Sequence, residues 1–247
     1  MMRVVAVIPA FNEAATVAGV AERARRYCPV VVVDDGSTDD TVASLADVDV
    51  TVLRNEGNRG KAASLWNGFA HALASGFDAV VTLDADGQHA PEEIPRLVAA
   101  AEANPGSIVI AARTVKQDRV PPLRLFANRT ANFWISWAAG YHVTDSQSGF
   151  RLYPAALLRR LALPVDRSRS FVFESEVLIA AARLGVRSVP VPVEAIYPDN
   201  ARPSHYHGAR DTARIVGMVG GRLLRRGMDP PGLWRSLRER ARSRGHS

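Results

Sequence analysis

Thr82-Leu83-Asp84-Ala85-Asp86-Gly87-Gln88-His89 decides how the rest of the chain is read. An apolar run, Ala79 to Leu83, leads into two carboxylates one residue apart, and Gly87 then turns the chain. Side chains alternate along a strand, so in a buried strand ending here Asp84 and Asp86 fall on the same side. Carboxylates so placed repel each other, and each is costly to bury alone. A divalent cation that prefers hard oxygen donors, Mg²⁺ or Mn²⁺, relieves both costs. Mg²⁺ usually keeps only one or two protein carboxylates and fills its shell with water and phosphate oxygens, so the spacing suits a metal-bound phosphate ligand. The same residues also fit a plain turn after a strand, where Asp and Gly are favoured. The neighbouring motifs weigh between the two.

Upstream, Val4–Pro9 is a continuous apolar run, the pattern of a strand covered on both faces. Asn12 is placed to cap a helix running to about Arg26, with Val17, Val20, Ala21 and Ala24 on one stripe. Val30–Val33 reads as a second buried strand ending in Asp34-Asp35-Gly36-Ser37, and Ser37 with Asp40 suits a cap for a short helix through Leu45. Val50–Leu53 is a third strand; Gly60 opens a helix carrying Leu65, Trp66, Phe69 and Leu73, closed by Gly76. Downstream, Pro91 starts a further helix and Ser107–Ala112 returns as a strand.

This alternation with short connections predicts an α/β fold, a mostly parallel sheet with helices on both faces. Ligands of such sheets bind beyond the carboxyl ends of the strands. Phe11-Asn12-Glu13, Asp34-Asp35 and Asp84-x-Asp86 would converge there on one acidic rim. The first turn, Pro9 to Glu13, holds no glycine, which speaks against a G-x-G-x-x-G dinucleotide site; a P-loop is absent as well.

Beyond residue 113 the pattern changes. Leu123–Gly140 reads as a helix with one aromatic face (Phe126, Phe133, Trp134, Trp137) and one polar stripe (Arg124, Asn128, Asn132, Ser136). Such a helix packs on a sheet or lies in a lipid headgroup layer, where Trp and Arg are both at home. Asp145-Ser-Gln-Ser-Gly149-Phe150-Arg151 follows, then a helix from Glu174 to about Leu184 and a strand Arg187–Val193. Pro190 and Pro192 mark that strand as an edge. Residues 194–210 read as a loop, and Asp211–Arg226 as an imperfectly amphipathic helix weakened by Gly217, Gly220 and Gly221.

With 47% apolar and 23% charged residues, the chain can bury a core and is not a disordered one. Its single cysteine, Cys28, excludes an intrachain disulfide and a cysteine metal site. The longest stretch free of Asp, Glu, Lys and Arg, Ala62 to Phe77, falls short of the roughly 20 apolar residues of a membrane span. No signal peptide is visible, so the expected location is cytoplasmic. The net charge of +6 is uneven: residues 209–247 carry ten Arg against Asp211, Asp229 and Glu239, a net of +7. That segment expects an acidic surface partner, and the reading divides the chain into a domain over 1–207 and a basic amphipathic tail over 208–247. Nucleic acid is not expected, since no helix-turn-helix, zinc or RNA-binding signature accompanies the arginines.

Taken in order, Pro9-Ala-Phe-Asn-Glu13, Val33-Asp-Asp-Gly-Ser37, Gly57-Asn-Arg-Gly-Lys61 and Asp84-Ala-Asp-Gly-Gln-His89 resemble glycosyltransferase family 2, across its GT-A nucleotide-sugar-binding half, about residues 3–113. Asp145-x-x-Ser-Gly-Phe-Arg151, Phe173-Glu-Ser-Glu176 and Arg202-Pro-Ser-His205 look like the branch of dolichol- and polyprenyl-phosphate glycosyltransferases. The resemblance implies an inverting, metal-dependent transfer of a hexose from a nucleotide-diphospho-sugar of GDP-mannose or UDP-glucose type to a membrane polyprenyl phosphate. A saccharide or another lipid hydroxyl is the alternative acceptor, and a nucleotide-binding module without turnover the alternative outside enzymes.

Carried onto matching positions, the resemblance implies that Pro9, Phe11, Glu13 and Asp35 hold the nucleoside. Lys61, Asp84, Ala85 and Asp86 line the donor, and Asp84, Asp86 and Gln88 hold Mg²⁺ or Mn²⁺. Arg202 and His205 close over the donor phosphates, with 114–207 as the acceptor half. Arg113, Arg124 and Arg151 are candidates for an acceptor phosphate, because guanidinium matches it geometrically. Asp145, then Glu176, are the carboxylates for orienting or deprotonating an acceptor. Some members carry C-terminal transmembrane helices that this sequence lacks; its basic tail would then bind the inner face of the cell membrane peripherally.

Overall fold

The computed structural model describes residues 2–114, 122–164, 172–194, 208–224 and 227–244. Among them, seven strands form one sheet: β1 (Val4–Ala10), β2 (Val30–Asp34), β3 (Thr51–Arg54), β4 (Ala79–Thr82), β5 (Ile108–Thr114), β6 (Arg151–Pro154) and β7 (Ser188–Glu194). They lie in the order β3-β2-β1-β4-β6-β5-β7. β1 runs parallel to β2 and β4, β2 to β3, and β5 to β7, while β6 is antiparallel to both β4 and β5. The α/β sheet expected from the alternation is therefore present. β6 is an addition, since Arg-Leu-Tyr-Pro carries too little apolar patterning to announce a strand.

Helices cover both faces. α1 (Val17–Ala24) and α3 (Ile94–Ala103) pack on one face, over Ile8, Val32, Val81 and Val109. On the other, α2 (Lys61–Ala74), α4 (Pro122–Ala139), the single turn α5 (Ala155–Leu158), α6 (Phe173–Arg183) and α7 (Gly208–Leu224) enclose Val7, Val33, Val80 and Ile110. The valine-rich strands are thus buried on both faces, as their continuous apolar runs require. Gly68 of α2 has a packing reason: a β-carbon there would come within 2.3 Å of Val7. β7 is the edge strand that its prolines demanded. Cys28 is buried between α1 and β2, and burial pushes its thiol up to about 11, so it is packing material.

Two local expectations change. Asn12 caps no helix: it adopts a left-handed conformation (φ 56°), its Oδ1 accepts the Thr38 amide, and α1 starts only at Val17. Ser37 does not cap the segment after β2 either; its Oγ accepts the Asn12 amide, and the segment forms only a 3₁₀ turn at Ala43–Leu45. These crossed bonds tie the first two strand ends together at the rim.

The segment after residue 207 packs on the body where the structure describes it. Ile215, Val219 and Leu223 of α7 are buried in the same core as the sheet. α8 (Pro230–Arg244) is fixed to the body by Trp137 Nε1 on the Asp229 carbonyl (3.1 Å) and by Arg187 and the His142 amide on Glu239 (2.5 and 3.1 Å). The basic segment is two docked helices, not a detached tail.

Candidate active site

The carboxyl ends of the parallel strands β1, β2 and β4 bring the three acidic segments to one rim. The first segment is the most open: Phe11 is 37% exposed and Pro9 and Glu13 are partly buried, Glu13 accepting the Thr16 hydroxyl (3.2 Å). At the second, Asp34 and Asp35 are buried and already engaged. Asp34 accepts the Ser37 amide (3.1 Å) and Arg54 (3.2 Å). Asp35 accepts Asn55 Nδ2 (2.8 Å) and the amides of Arg59 (2.9 Å) and Gly60 (2.7 Å). Here Asp35 anchors the Gly57–Lys61 loop; three of its four lone-pair sites are filled, leaving one on Oδ2.

That anchoring places Lys61. Gly60 takes φ 91°, and Lys61 opens α2 with its ammonium 2.5 Å from Asp84 Oδ1 and 2.8 Å from Glu174 Oε1. Burial works against the ammonium, but Asp84 and Glu174 outweigh it and keep Lys61 charged well beyond its ordinary range. Burial would likewise raise Asp84; Lys61 and the nearby His89 (Nε2 3.6 Å from Oδ2) outweigh it and hold the carboxyl far below the usual carboxylate range. His89 is itself buried against the Phe150 ring, 5.4 Å between centroids. Gly149 closes the pocket, since a β-carbon there would fall 2.7 Å from Asp84 Oδ2.

Asp86 differs from Asp84. Its Oδ1 accepts the Gln88 amide (2.9 Å) across the Gly87 turn (φ 74°). Burial, and then the charge of Asp84 beside it, raise its pKa above the ordinary value. A carboxylate strained in this way is one that a cation relieves, and the Asp84 and Asp86 carboxylates with the Gln88 side-chain carbonyl are hard oxygen donors. Among the described residues no group of three or more His, Cys, Asp or Glu is arranged around a metal. A cation here would therefore take the rest of its shell from a phosphate-bearing ligand and water. Ala85 between the two acids is buried in the core, so only its backbone can face a ligand.

The second half departs further from expectation. Arg113 clamps Asp145 with Nε and Nη2 (2.8 and 3.0 Å), and the Arg113 and Gln147 amides add to it (both 3.2 Å). Burial would raise Asp145, but the Arg113 charge and hydrogen bonds override it and lower the pKa. Arg151, a candidate for the acceptor phosphate, is wholly buried and donates to the carbonyls of Ser148, Ser146 and Glu174, so in this structure it ties loops together. Glu176, the second candidate carboxylate, is wholly buried with Arg222 Nη2 of α7 at 2.6 Å. Arg124 lies in the first turn of α4, and its side chain is outside the described residues, as are Arg202 and His205.

Glu174, His89 and Gly149 join the site without having been singled out. The signal for Glu174 lay in Phe173-Glu-Ser-Glu176: two glutamates two positions apart on a helix point about 200° apart, so one faces the rim and the other faces away.

An acidic rim lies at the carboxyl ends of a mostly parallel sheet, where ligands of such sheets bind, and Lys61 joins Asp84 to Glu174 there. The chain belongs to glycosyl transferase family 2, whose model matches residues 5–164. It is 34% identical to the undecaprenyl-phosphate mannosyltransferase of Micrococcus luteus, over 78% of this chain and 83% of that protein. It is 33% identical to the polyprenol monophosphomannose synthase of Mycolicibacterium smegmatis, over 77% and 76%. Its fold is similar to that of glucosyl-3-phosphoglycerate synthase from Mycobacterium tuberculosis, crystallised with Mn²⁺ and UDP (TM-score 0.64, 25% identity, 90% of this chain and 80% of that one).

Proposed function

We propose that this glycosyltransferase moves a hexose from a nucleotide-diphospho-sugar, of GDP-mannose or UDP-glucose type, to a polyprenyl phosphate, with inversion and with Mg²⁺ or Mn²⁺ bound. The observation that carries the acceptor class is the state of Asp145 and Glu176. One is clamped by Arg113 with a lowered pKa, the other buried against Arg222, so neither suits the removal of a proton from a hydroxyl. A lipid monophosphate needs no such base, because its second pKa is about 6 and its oxygen is already charged at neutral pH. The names of the two bacterial relatives support the same acceptor.

In this reading Pro9, Phe11, Glu13 and Asp35 hold the nucleoside at the open end of the rim. Asp84, Asp86 and Gln88 hold the cation, which when bound neutralises charge on the donor diphosphate. Lys61, Arg202 and His205 add positive charge where the leaving diphosphate gains negative charge, which stabilises the transition state more than the ground state. Arg113 and Arg124 orient the acceptor phosphate, and Asp145 orients Arg113. An acceptor phosphate oxygen attacks the anomeric carbon opposite the diphosphate. The bond to the diphosphate oxygen breaks with its electron pair, and no proton need move. α8 brings the protein to the inner face of the membrane; among the described residues no helix is long and apolar enough to cross one.

The test is transfer of labelled sugar from GDP-mannose and from UDP-glucose to a short-chain polyprenyl phosphate, with Mn²⁺ and with EDTA. Product with one donor, abolished by EDTA, is expected. Transfer to the prenol alcohol but not to its phosphate would overturn the acceptor.

A further inference from the structure

We propose that Lys61 competes with the divalent cation for Asp84, and that Glu174 retains the ammonium when the cation takes that oxygen. The Lys61–Glu174 pair then sets how weakly the site binds metal without nucleotide. The inference rests on the cation site of the preceding section and adds a positioning residue, Glu174, to it.

Lys61 Nζ lies 2.5 Å from Asp84 Oδ1, the distance of a tight charged hydrogen bond, so a cation using that oxygen has to displace it. The displaced ammonium does not have to enter bulk water, because Glu174 Oε1 already holds it at 2.8 Å. Glu174 is only 13% exposed and is brought in by α6, from the acceptor half of the chain, whereas Lys61 and Asp84 belong to the donor half. Gly149 lies against both the Asp84 carboxylate and the Lys61 ammonium, and His89 stands 3.6 Å from Asp84 Oδ2, so the carboxylate has little room to turn away from the lysine. The formal charges of Asp84, Asp86 and Glu174 against Lys61 sum to −2, which one divalent cation neutralises. A nucleoside diphosphate gives the released ammonium a second anionic partner, so metal and nucleotide should each strengthen binding of the other.

The experiment measures Mn²⁺ binding to the full chain from the free-ion electron paramagnetic resonance signal, without nucleotide and with GDP or UDP. Lys61→Met is expected to bind Mn²⁺ alone at least tenfold more tightly than wild type, and to lose the part of the mutual strengthening by nucleotide that the released ammonium supplies. Glu174→Gln leaves Asp84 as the main partner of the ammonium, so Mn²⁺ alone should bind several-fold more weakly. Because Lys61→Met sets Asp84 against Glu174, Mn²⁺ should also raise its melting temperature more than that of wild type. Unchanged or weaker Mn²⁺ affinity in Lys61→Met overturns the competition while leaving the cation site standing. Failure of wild type to bind Mn²⁺ even with nucleotide overturns both.

Discussion

Asp84 and Asp86 stand at the end of β4 partly open to solvent, opposed by a lysine that can be exchanged for another cation. Asp145 and Glu176, the acids put forward from the second half of the chain, are held by Arg113 and Arg222 at 13% and 0% exposure. Both pairs are charged and both belong to sequence motifs, yet they serve different ends. Lysine presents a compact charge on a flexible stem, whereas arginine locks a carboxylate in a planar fork. The first arrangement can take up a ligand's charge; in the second, Arg222 fastens α7 to α6 and Asp145 holds Arg113 in one orientation. Breaking each in turn should therefore cost activity on one side and stability on the other.

The largest effect is expected at Asp86. Asp86→Asn keeps the turn but halves the carboxylate charge available to a cation, and metal ions supply several kcal/mol of charge stabilisation in such reactions. Turnover with a short-chain polyprenyl phosphate should fall about a thousandfold, at roughly 1.4 kcal/mol per decade. The melting temperature should hold steady or rise, since the raised pKa of Asp86 marks its charge as unfavourable in the fold. Activity within tenfold of wild type would remove Asp86 from the cation site.

The opposite result is expected at Arg222. Arg222→Met withdraws the guanidinium from a wholly buried Glu176, and breaking a buried pair on one side costs about 3 kcal/mol or more. For a chain of this size that lowers the melting temperature by roughly 6–12 °C. Pairing it with Glu176→Leu should recover most of the loss, which a catalytic Glu176 would not allow together with retained turnover. Gly149→Ala joins the two effects. Its β-carbon meets Asp84 where Lys61 and His89 leave no room to yield, so about 1–3 kcal/mol of stability and most donor binding should go together. Calorimetry with nucleotide and Mn²⁺ separates the two losses.

The same contrast explains what could be read from the sequence. The strand-end acids were legible because position in a parallel sheet dictates where they point: continuous apolar runs fix the strands, and ligands gather at their carboxyl ends. The acids and arginines of the second half were not, because their roles depend on which helix covers which face. Glu174 and Glu176 differ by two helical positions, and nothing local says that α7 will bring Arg222 to the second of them. Arg151 sits in a strand buried on both sides, where a charged residue survives only because Ser146, Ser148 and Glu174 offer carbonyls from distant loops. Antiparallel β6 itself stayed hidden because Arg-Leu-Tyr-Pro carries too little apolar patterning of its own.

Asp145 offers a smaller effect with a definite sign. Its pKa is lowered in the folded protein, so it contributes stability above the ordinary carboxylate range and loses it as pH falls through the folded value. Asp145→Asn should therefore narrow the difference in stability between about pH 5 and pH 2, read by urea melts across that range. Its turnover with a polyprenyl phosphate should change less than tenfold. A loss of a hundredfold or more, with the melting curve unchanged, would make Asp145 a base after all and turn the acceptor into a hydroxyl.

The smallest effect is expected farthest from the rim. α8 is fastened beside Arg187, which precedes β7, so it lies toward the end of the sheet opposite the acidic carboxyl ends. Its acid, Glu239, is turned inward, while Trp234 (61% exposed) and Leu237 (45%) face outward with Arg238, whose guanidinium lies 5.1 Å over the Trp234 ring; Arg235 is exposed too, with its guanidinium beside Gly140. Aromatic and aliphatic groups ringed by arginine suit an anionic headgroup layer, at roughly 1 kcal/mol per basic residue. Arg235→Gln and Arg238→Gln should each weaken sedimentation with phosphatidylglycerol vesicles about fivefold. Neither should alter turnover on a short-chain acceptor in solution, because neither reaches the rim. Equal loss in both assays would mean that α8 supports the acceptor half itself, and the division between a chemical rim and a docking end would fail.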